Sequence, residues 1–399
     1  MTKKARRKAP QLRFPEFNGD WKTDRSDHFL VRYVNPVDVQ LDTEYKQIGI
    51  RSHGKGIFHK EPVTGRELGN KRVYWVHPEA FTVNIVFAWE QAVALTSDAE
   101  EGFIASHRFL MFLPKENRCD LKFILLFFLR KRGKSLLELA SPGGAGRNKT
   151  LGQDNFAELQ LTLPQKEEQE KIASFLGAVD TRLSQLRRKH ELLQTYKRGV
   201  MQKIFSQQIR FKSDRGKPFP DWEKKKLEKI ANITMGQSPE SESYNSKGIG
   251  KYLVQGNADI YNRITRPKQW TSEPTKLCEN GDLILTVRAP IGMIAKSNVD
   301  ACIGRGVCSL KTLSNANKEF LYQFLVYYEP QWVSLGQGST FTAINAIDIK
   351  SLKVSIPCIE EQKKIANFLT AIDQKIEAIA QQIDLTEQYK KSLLQKMFV

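Results

Sequence analysis

Apolar positions recur at spacings of 4, 3, 4 and 3 along two stretches of the chain. The first reads Ile172, Leu176, Val179, Leu183, Leu186, His190, Leu193, Lys197, Val200, Ile204. The second reads Ile365, Leu369, Ile372, Ile376, Ile379, Ile383, Thr386, Lys390, Leu393, Met397. Eight of ten positions are apolar in each stretch, and no proline interrupts either, so the pattern predicts two long helices with a coiled-coil seam. Pro164 and Pro357 each stand before a Glu-rich first turn, which marks where a helix starts and suits its dipole. About 40 residues at ~1.5 Å each give a rod on the order of 60 Å long. Such a stripe packs either on its own domain or on the other helix; a period of 3.5 sustained over four heptads, twice, favours the second. Outside the two stretches the periodicity changes. Short β-like runs, Arg72–Val76, Val83–Phe87 and Asp282–Val287, alternate with turn clusters at Gly54-Lys-Gly56, Gly143-Gly144 and Asn280-Gly281. Asp120–Lys131 and Lys318–Tyr328 read as helices. Both halves are therefore α+β.

The two halves are copies of one plan. Pro164–Asp180 returns as Pro357–Asp373, at an offset of 193 that stays gapless through Tyr196-Lys197 with Tyr389-Lys390 and Phe205 with Phe398. The beginnings match more loosely: Leu12-Arg13-Phe14 with Asp20-Trp21 corresponds to Ile209-Arg210-Phe211 with Asp221-Trp222. Between these anchors the copies diverge, over 143 positions in one and 135 in the other. Shared ends around dissimilar middles describe two equivalent parts doing one job on different targets. The expected divisions are a basic tail 1–12, a first variable domain 13–163, a helix 164–210, a second variable domain 211–356 and a helix 357–399.

Charge adds a class of partner. The 399 residues carry a formal +18, which favours a polyanion and by itself leaves DNA, RNA and an anionic membrane open. Residues 14–164 carry only +1, so any binding face in the first domain must be local, whereas 165–212 carry +6 and 358–399 carry 0. The longest purely apolar run, Phe123–Leu129, has seven residues, far short of the ~20 that span a bilayer. The basic start has no apolar stretch behind it, so no signal peptide is expected. Five scattered cysteines, with no CxxC pair, exclude a disulfide framework and a zinc ribbon.

Catalytic patterns are absent. Gly143–Thr150 nearly spells a phosphate loop, but Asn148 replaces its second glycine and no apolar strand leads into it. Asp221-Trp-Glu223-Lys-Lys225 only faintly resembles a nuclease core. The six histidines form no zinc-hydrolase motif, and neither a dinucleotide fingerprint nor an amino-methyltransferase motif occurs. No catalytic residue, metal or cofactor is expected in this chain.

The divergent middles are rich in donors. The first offers Arg51, Ser52, His53, Lys55, Arg66, Lys71, Arg72, His107, Arg108, Arg147 and Lys149. The second offers Gln237, Ser238, Tyr244, Asn245, Gln255, Asn257, Arg263, Arg266, Lys268, Arg288 and Arg305. Arginine and lysine suit guanine edges and phosphates, and asparagine and glutamine suit adenine edges, so both sets are candidates for contacting DNA. A coiled-coil adaptor would explain the helices but not two divergent donor-rich domains. An RNA-binding protein would explain the charge, yet no RNP-type aromatic motif is present. A nuclease lacks its metal site.

Two variable domains, each closed by a helix opening Pro-x-x-x-Glu-Gln-x-Lys-Ile-Ala-x-Phe-Leu, resemble the DNA-specificity subunit of type I restriction–modification systems. Residues 161–180 and 354–373 match its helix entry. Ile48–Lys60, Phe87–Glu90 with Ser106–Phe109, and Gly236–Pro239 with Arg288–Gly292 and Ile303–Gly306 resemble known target-recognition types. The resemblance implies an α+β fold with two target-recognition domains, mixed sheet with helices, separated by an antiparallel pair of long helices. The domains would be related by a pseudo-two-fold axis, and each would read half of a bipartite, asymmetric site in double-stranded DNA. Two modification subunits carrying S-adenosylmethionine would methylate an adenine in each half-site. Motor–nuclease restriction subunits, using ATP and magnesium, would cleave unmodified DNA. A cytoplasmic location in a bacterial or archaeal cell, with no membrane partner, would follow.

Overall fold

The computed structural model describes residues 9–143, 149–337 and 343–399. The chain divides into two compact units, one ending at Gln185 and completed by Gln382–Val399, the other Leu186–Gln381. The two seam-bearing stretches are helices, Lys166–Phe205 and Ile359–Lys396, of 40 and 38 residues. Each unit takes part of each helix, so the units divide within the helices and not at their ends. The physical reason lies in the cores.

In the first unit, Ile172, Leu176 and Val179 of the central helix pack with Leu393, Met397 and Phe398 of the C-terminal one. Start meets end, so the helices run antiparallel there. The same cluster includes Trp21, Phe123, Phe127, Leu161 and Leu163 from the domain. In the second unit Met201, Ile204 and Phe205 pack with Ile365, Leu369 and Ile372, again antiparallel, and share a core with Leu283, Leu310 and Phe320. The seam thus serves both partners considered for it: the other helix and the domain. Leu183, Leu186 and Ile379 are also buried, while Ile376, Leu193 and Ile383 are half-buried.

Each domain closes against the helix start with one short antiparallel pair, Lys22–Arg25 with Gln160–Leu163 and Glu223–Lys226 with Lys353–Ile356. Beyond this hinge the sheets differ. The first unit holds two four-stranded sheets, one all antiparallel, the other joining Glu44–Ile50 and Ile104–Ser106 in parallel. The second holds a six-stranded and a five-stranded sheet.

Local chemistry redrew three expected elements. The run Val83–Phe87 is a strand only to Asn84, whose Oδ1 accepts the Val86 N–H at 3.1 Å and turns the chain. Asp120–Lys131 splits into Leu121–Leu129 and Lys131–Leu139 at an extended Arg130. Gly133 allows the second helix to lie on the first, since a Cβ there would stand 2.2 Å from the Phe127 carbonyl oxygen. Lys318–Tyr328 continues to Gln337, through Pro330.

Candidate DNA-recognition surfaces

The helix entry is built twice from the same parts. Glu168 and Glu361, both fully buried, each receive an arginine fork: Arg13 at 2.7 and 2.7 Å, Arg210 at 3.3 and 2.8 Å. These bonds raise both arginine pKa values against the cost of burial. The adjacent Gln169 and Gln362 donate to the carbonyls of Pro164 and Pro357 at 2.9 and 2.8 Å. Their side-chain oxygens accept the N–H of Asp120 and of Asn317. Those two residues in turn cap the next helices, accepting from Phe123 and Phe320. Further along, Lys197 bonds Asp373 at 2.6 Å and Lys390 bonds Asp180 at 2.5 Å. Both lysines in the seam therefore bind a carboxylate on the helix of the other repeat. Burial, partly offset by Asp373, holds the Lys197 ammonium below its usual range. The Arg–Glu and Gln–cap relations were missed in the sequence, because Asp120 and Asn317 lie at an offset of 197 in unlike surroundings.

In the outer part of the first unit the donors form separate groups. Arg51 lies over the Phe58 ring at 4.8 Å and donates to the Ile57 carbonyl. Ser52 Oγ donates to Glu90 at 2.9 Å and the His53 N–H to the Glu90 carbonyl, which docks the 51–56 hairpin, with exposed His53 and Lys55, on the 88–90 turn. Lys149 sits 5.5 Å over the Trp89 ring of that same turn. Arg72, His107 and Arg108 form a second exposed group, joined by the His107 N–H to the Arg72 carbonyl, with exposed Lys71 beside it. Arg66 pairs with Asp42 elsewhere. Arg147 lies outside the described residues.

The second unit brings its donors together. Lys251–Val254 and Ala301–Ile303 are parallel neighbours, so the loops after them, 255–257 and 304–306, emerge side by side. Their approach requires glycine: a Cβ on Gly306 would stand 2.2 Å from the Gln255 carbonyl oxygen, and one on Gly236 would stand 2.1 Å from that of Gly304. Backbone bonds fix the walls, Gly304 to Val254 at 2.8 Å and Val287 to Gly306 at 2.9 Å, and the Arg305 N–H reaches Ser238 Oγ. Asp259 braces the 255–257 loop by accepting the Gln255 N–H at 2.7 Å. The result is a cleft of about 240 Å³ lined by Ser238, Gln255, Asn257, Arg288 and Arg305, with Gly256, Ala289 and Gly306. Among the described residues no carboxylate lines it. A larger groove of about 1090 Å³ in the first unit is different: Asp20, Asp24 and Glu167 stand among its cations.

Several expected contacts of the second domain are instead engaged within the chain. Arg263 is bound by both Glu329 oxygens, at 2.5 and 2.9 Å. Burial works against its charge, yet this pairing raises its pKa. The Tyr244 hydroxyl donates to the Pro239 carbonyl, and the Asn245 amide organises the 245–249 turn. Arg266 stacks on Tyr261 at 5.0 Å. Gln237 and Lys268 are exposed beside these elements. Among the described residues no cluster of three or more His, Cys, Asp or Glu side chains is arranged to hold a metal, and no helix is long and apolar enough to cross a membrane.

These features are those of a duplicated recognition protein hinged on helices, and the comparisons place it. The family model for the type I restriction modification DNA specificity domain matches residues 66–194 and again 220–388. The chain belongs to this family and is a type I restriction–modification specificity subunit with two recognition domains, the non-catalytic component of such systems. It is similar to the putative type I restriction enzyme MjaX specificity subunit of Methanocaldococcus jannaschii, at 32% identity covering 76% of this chain and 73% of that one. The fold is shared with a subunit described for complex assembly and conformational transition of the type I R-M system, at TM-score 0.62, 24% identity and coverage of 95% and 97%. It is shared too with the type I S subunit of M. genitalium, at TM-score 0.61, 17% identity and coverage of 98% and 99%.

Proposed function

We propose that this chain reads a bipartite, asymmetric site in double-stranded DNA, one recognition domain per half-site, and thereby directs partner subunits. Two modification subunits carrying S-adenosylmethionine methylate an adenine at N6 in each half-site, and restriction subunits use ATP and magnesium to cleave unmodified DNA. The cytoplasm of a bacterial or archaeal cell is where such DNA is met. One observation carries the reading: the same helix junction is built twice while the surfaces beyond it share neither sheet order nor donor pattern. A conserved mount with an exchangeable reader is what independent half-site recognition requires. The readers are the 51–55 hairpin with Lys149 and the 72/107/108 group in the first domain, and the 238–306 cleft in the second. Formal charge of +18 favours duplex association through phosphate contacts.

Exchange of residues 14–160 for the corresponding domain of another such subunit tests this. Mapping of methylated adenines after assembly with modification subunits is expected to show one half-site changed and the other retained. Alteration of both half-sites would contradict it.

A further inference from the structure

Two guanidinium groups line the cleft of the second unit without a bond to any described side chain. Arg288 and Arg305 both line it, and among the described residues neither has a side-chain hydrogen bond, ion pair or ring contact. The contrast with Arg263, forked onto Glu329, and Arg266, stacked on Tyr261, is sharp within one domain. Like charges facing a small space repel, and here the walls cannot relax apart, because glycine contacts and backbone bonds set their spacing. Such a site is pre-organised for an electron-rich partner placed between the arginines. Phosphate and the guanine edge both qualify.

The other lining groups choose between them. Gln255 and Asn257 each present an amide with both a donor and an acceptor. A phosphate accepts only, so half of each amide would face it unfavourably. Purine edges in the major groove offer acceptors on guanine and a donor with an acceptor on adenine, which matches arginine forks beside amides. Among the described residues no carboxylate lines the cleft to accept from a cytosine amino group.

Resting on the DNA-reading function above, we propose that this cleft reads a guanine through N7 and O6 with Arg288 or Arg305, beside an adenine met by Gln255 or Asn257. The half-site of the second domain thus contains an adjacent guanine and adenine.

The test uses the full chain assembled with its modification subunits and a library of random duplexes. Wild type defines the motif; a wild-type complex with no sequence preference would defeat the DNA-reading function itself, separately from this inference. Arg288→Ala and Arg305→Ala are exposed-residue changes, and thermal unfolding checks that each variant folds. At least one is expected to lower discrimination at a single G·C position of the second half-site roughly ten- to hundredfold, leaving the first half-site unchanged. Lysine at that position keeps the charge but not the fork, and is expected to fail likewise. Placing 7-deazaguanine, which lacks N7, in wild-type substrate should reproduce the loss and add nothing in the responsible variant. Uniform weakening on all sequences, rescued by lysine, would make the cleft a phosphate contact and overturn the proposal. So would an unchanged motif in both variants.

Discussion

Asp120 and Asn317 do the same work in the two units: each gives its N–H to a buried glutamine and caps the helix that follows. A few residues further out the resemblance stops. The first unit docks its donor hairpin on a turn through Glu90 and keeps its candidate donors in separate groups; the second converges five polar side chains on one cleft that no described carboxylate lines. Even the junction differs in detail. Trp222 Nε1 donates to Glu361 at 3.1 Å, whereas the equivalent Trp21 Nε1 is buried with no partner among the described residues. Asp373 also receives Gln323 at 2.7 Å, while its counterpart Asp180 is the more exposed of the two carboxylates. The difference teaches where sequence freedom lies. Groups that anchor the helices are fixed by burial and mutual bonding, and groups at the outer surface are free to follow a target.

The largest effect is expected from removing one copy. Val200, Ile204 and Phe205 stand 193 positions before Leu393, Met397 and Phe398, which complete the first unit's core. A fragment of residues 1–210 lacks the latter and carries the former. Its exposed Ile172 and Leu176 stripe is costly in water, at ~25 cal/mol per Å² of apolar surface. A second copy, packed antiparallel, supplies the matching side chains and makes a true two-fold axis. The fragment is expected to dimerise with a Kd of about 1 µM or better, roughly 8 kcal/mol, and to direct methylation to a palindrome of one half-site. Sedimentation showing a monomer well above that concentration would break the equivalence of the two copies.

Next come the buried carboxylates. Arg13→Ala and Arg210→Ala each strand a fully buried glutamate, a loss of about 3–5 kcal/mol. Glu361 keeps the Trp222 indole and Glu168 has no indole donor, so Arg13→Ala is expected to be the more damaging by ~1 kcal/mol. Denaturant unfolding of the two variants decides it; equal losses would show that the indole bond contributes nothing.

Much of this could be read without coordinates. The repeat, both helices and the positions of the seam follow from a 3.5-residue period, because burial along a helix leaves its spacing in the sequence. The outer donors were harder. Arg263 and Arg288 look alike as letters, and only the fold puts Glu329 beside one of them. The cleft depends on two strands far apart in sequence lying parallel, a relation that local patterns do not carry. The same holds for Asn84, whose side chain ended a strand that periodicity extended.

The smallest predicted effect compares the units in alkali. Burial pushes the thiol of Cys119, in the first unit, up to about 12, and does the same to Cys308 in the second. The second unit also holds Cys278, raised by burial, and Tyr322, pushed by burial up to about 12. In each case the folded state keeps a proton that the unfolded chain gives up at lower pH. Stability is therefore full below the ordinary value and falls as pH rises through the interval above it. Each of Cys119 and Cys308 should lose on the order of 1.5 kcal/mol by pH 10. Lys197 acts in the opposite sense, because its lowered value means that the folded state releases its proton first. It is one group against three in the second unit, so that unit is expected to weaken faster than the first between pH 8 and 10. Hydrogen exchange of core amides, followed separately in the two units, measures the slopes. Cys308→Ala should flatten the second unit's slope and leave the first untouched. A first unit that weakens faster would mean that burial of these thiols does not govern the alkaline limb.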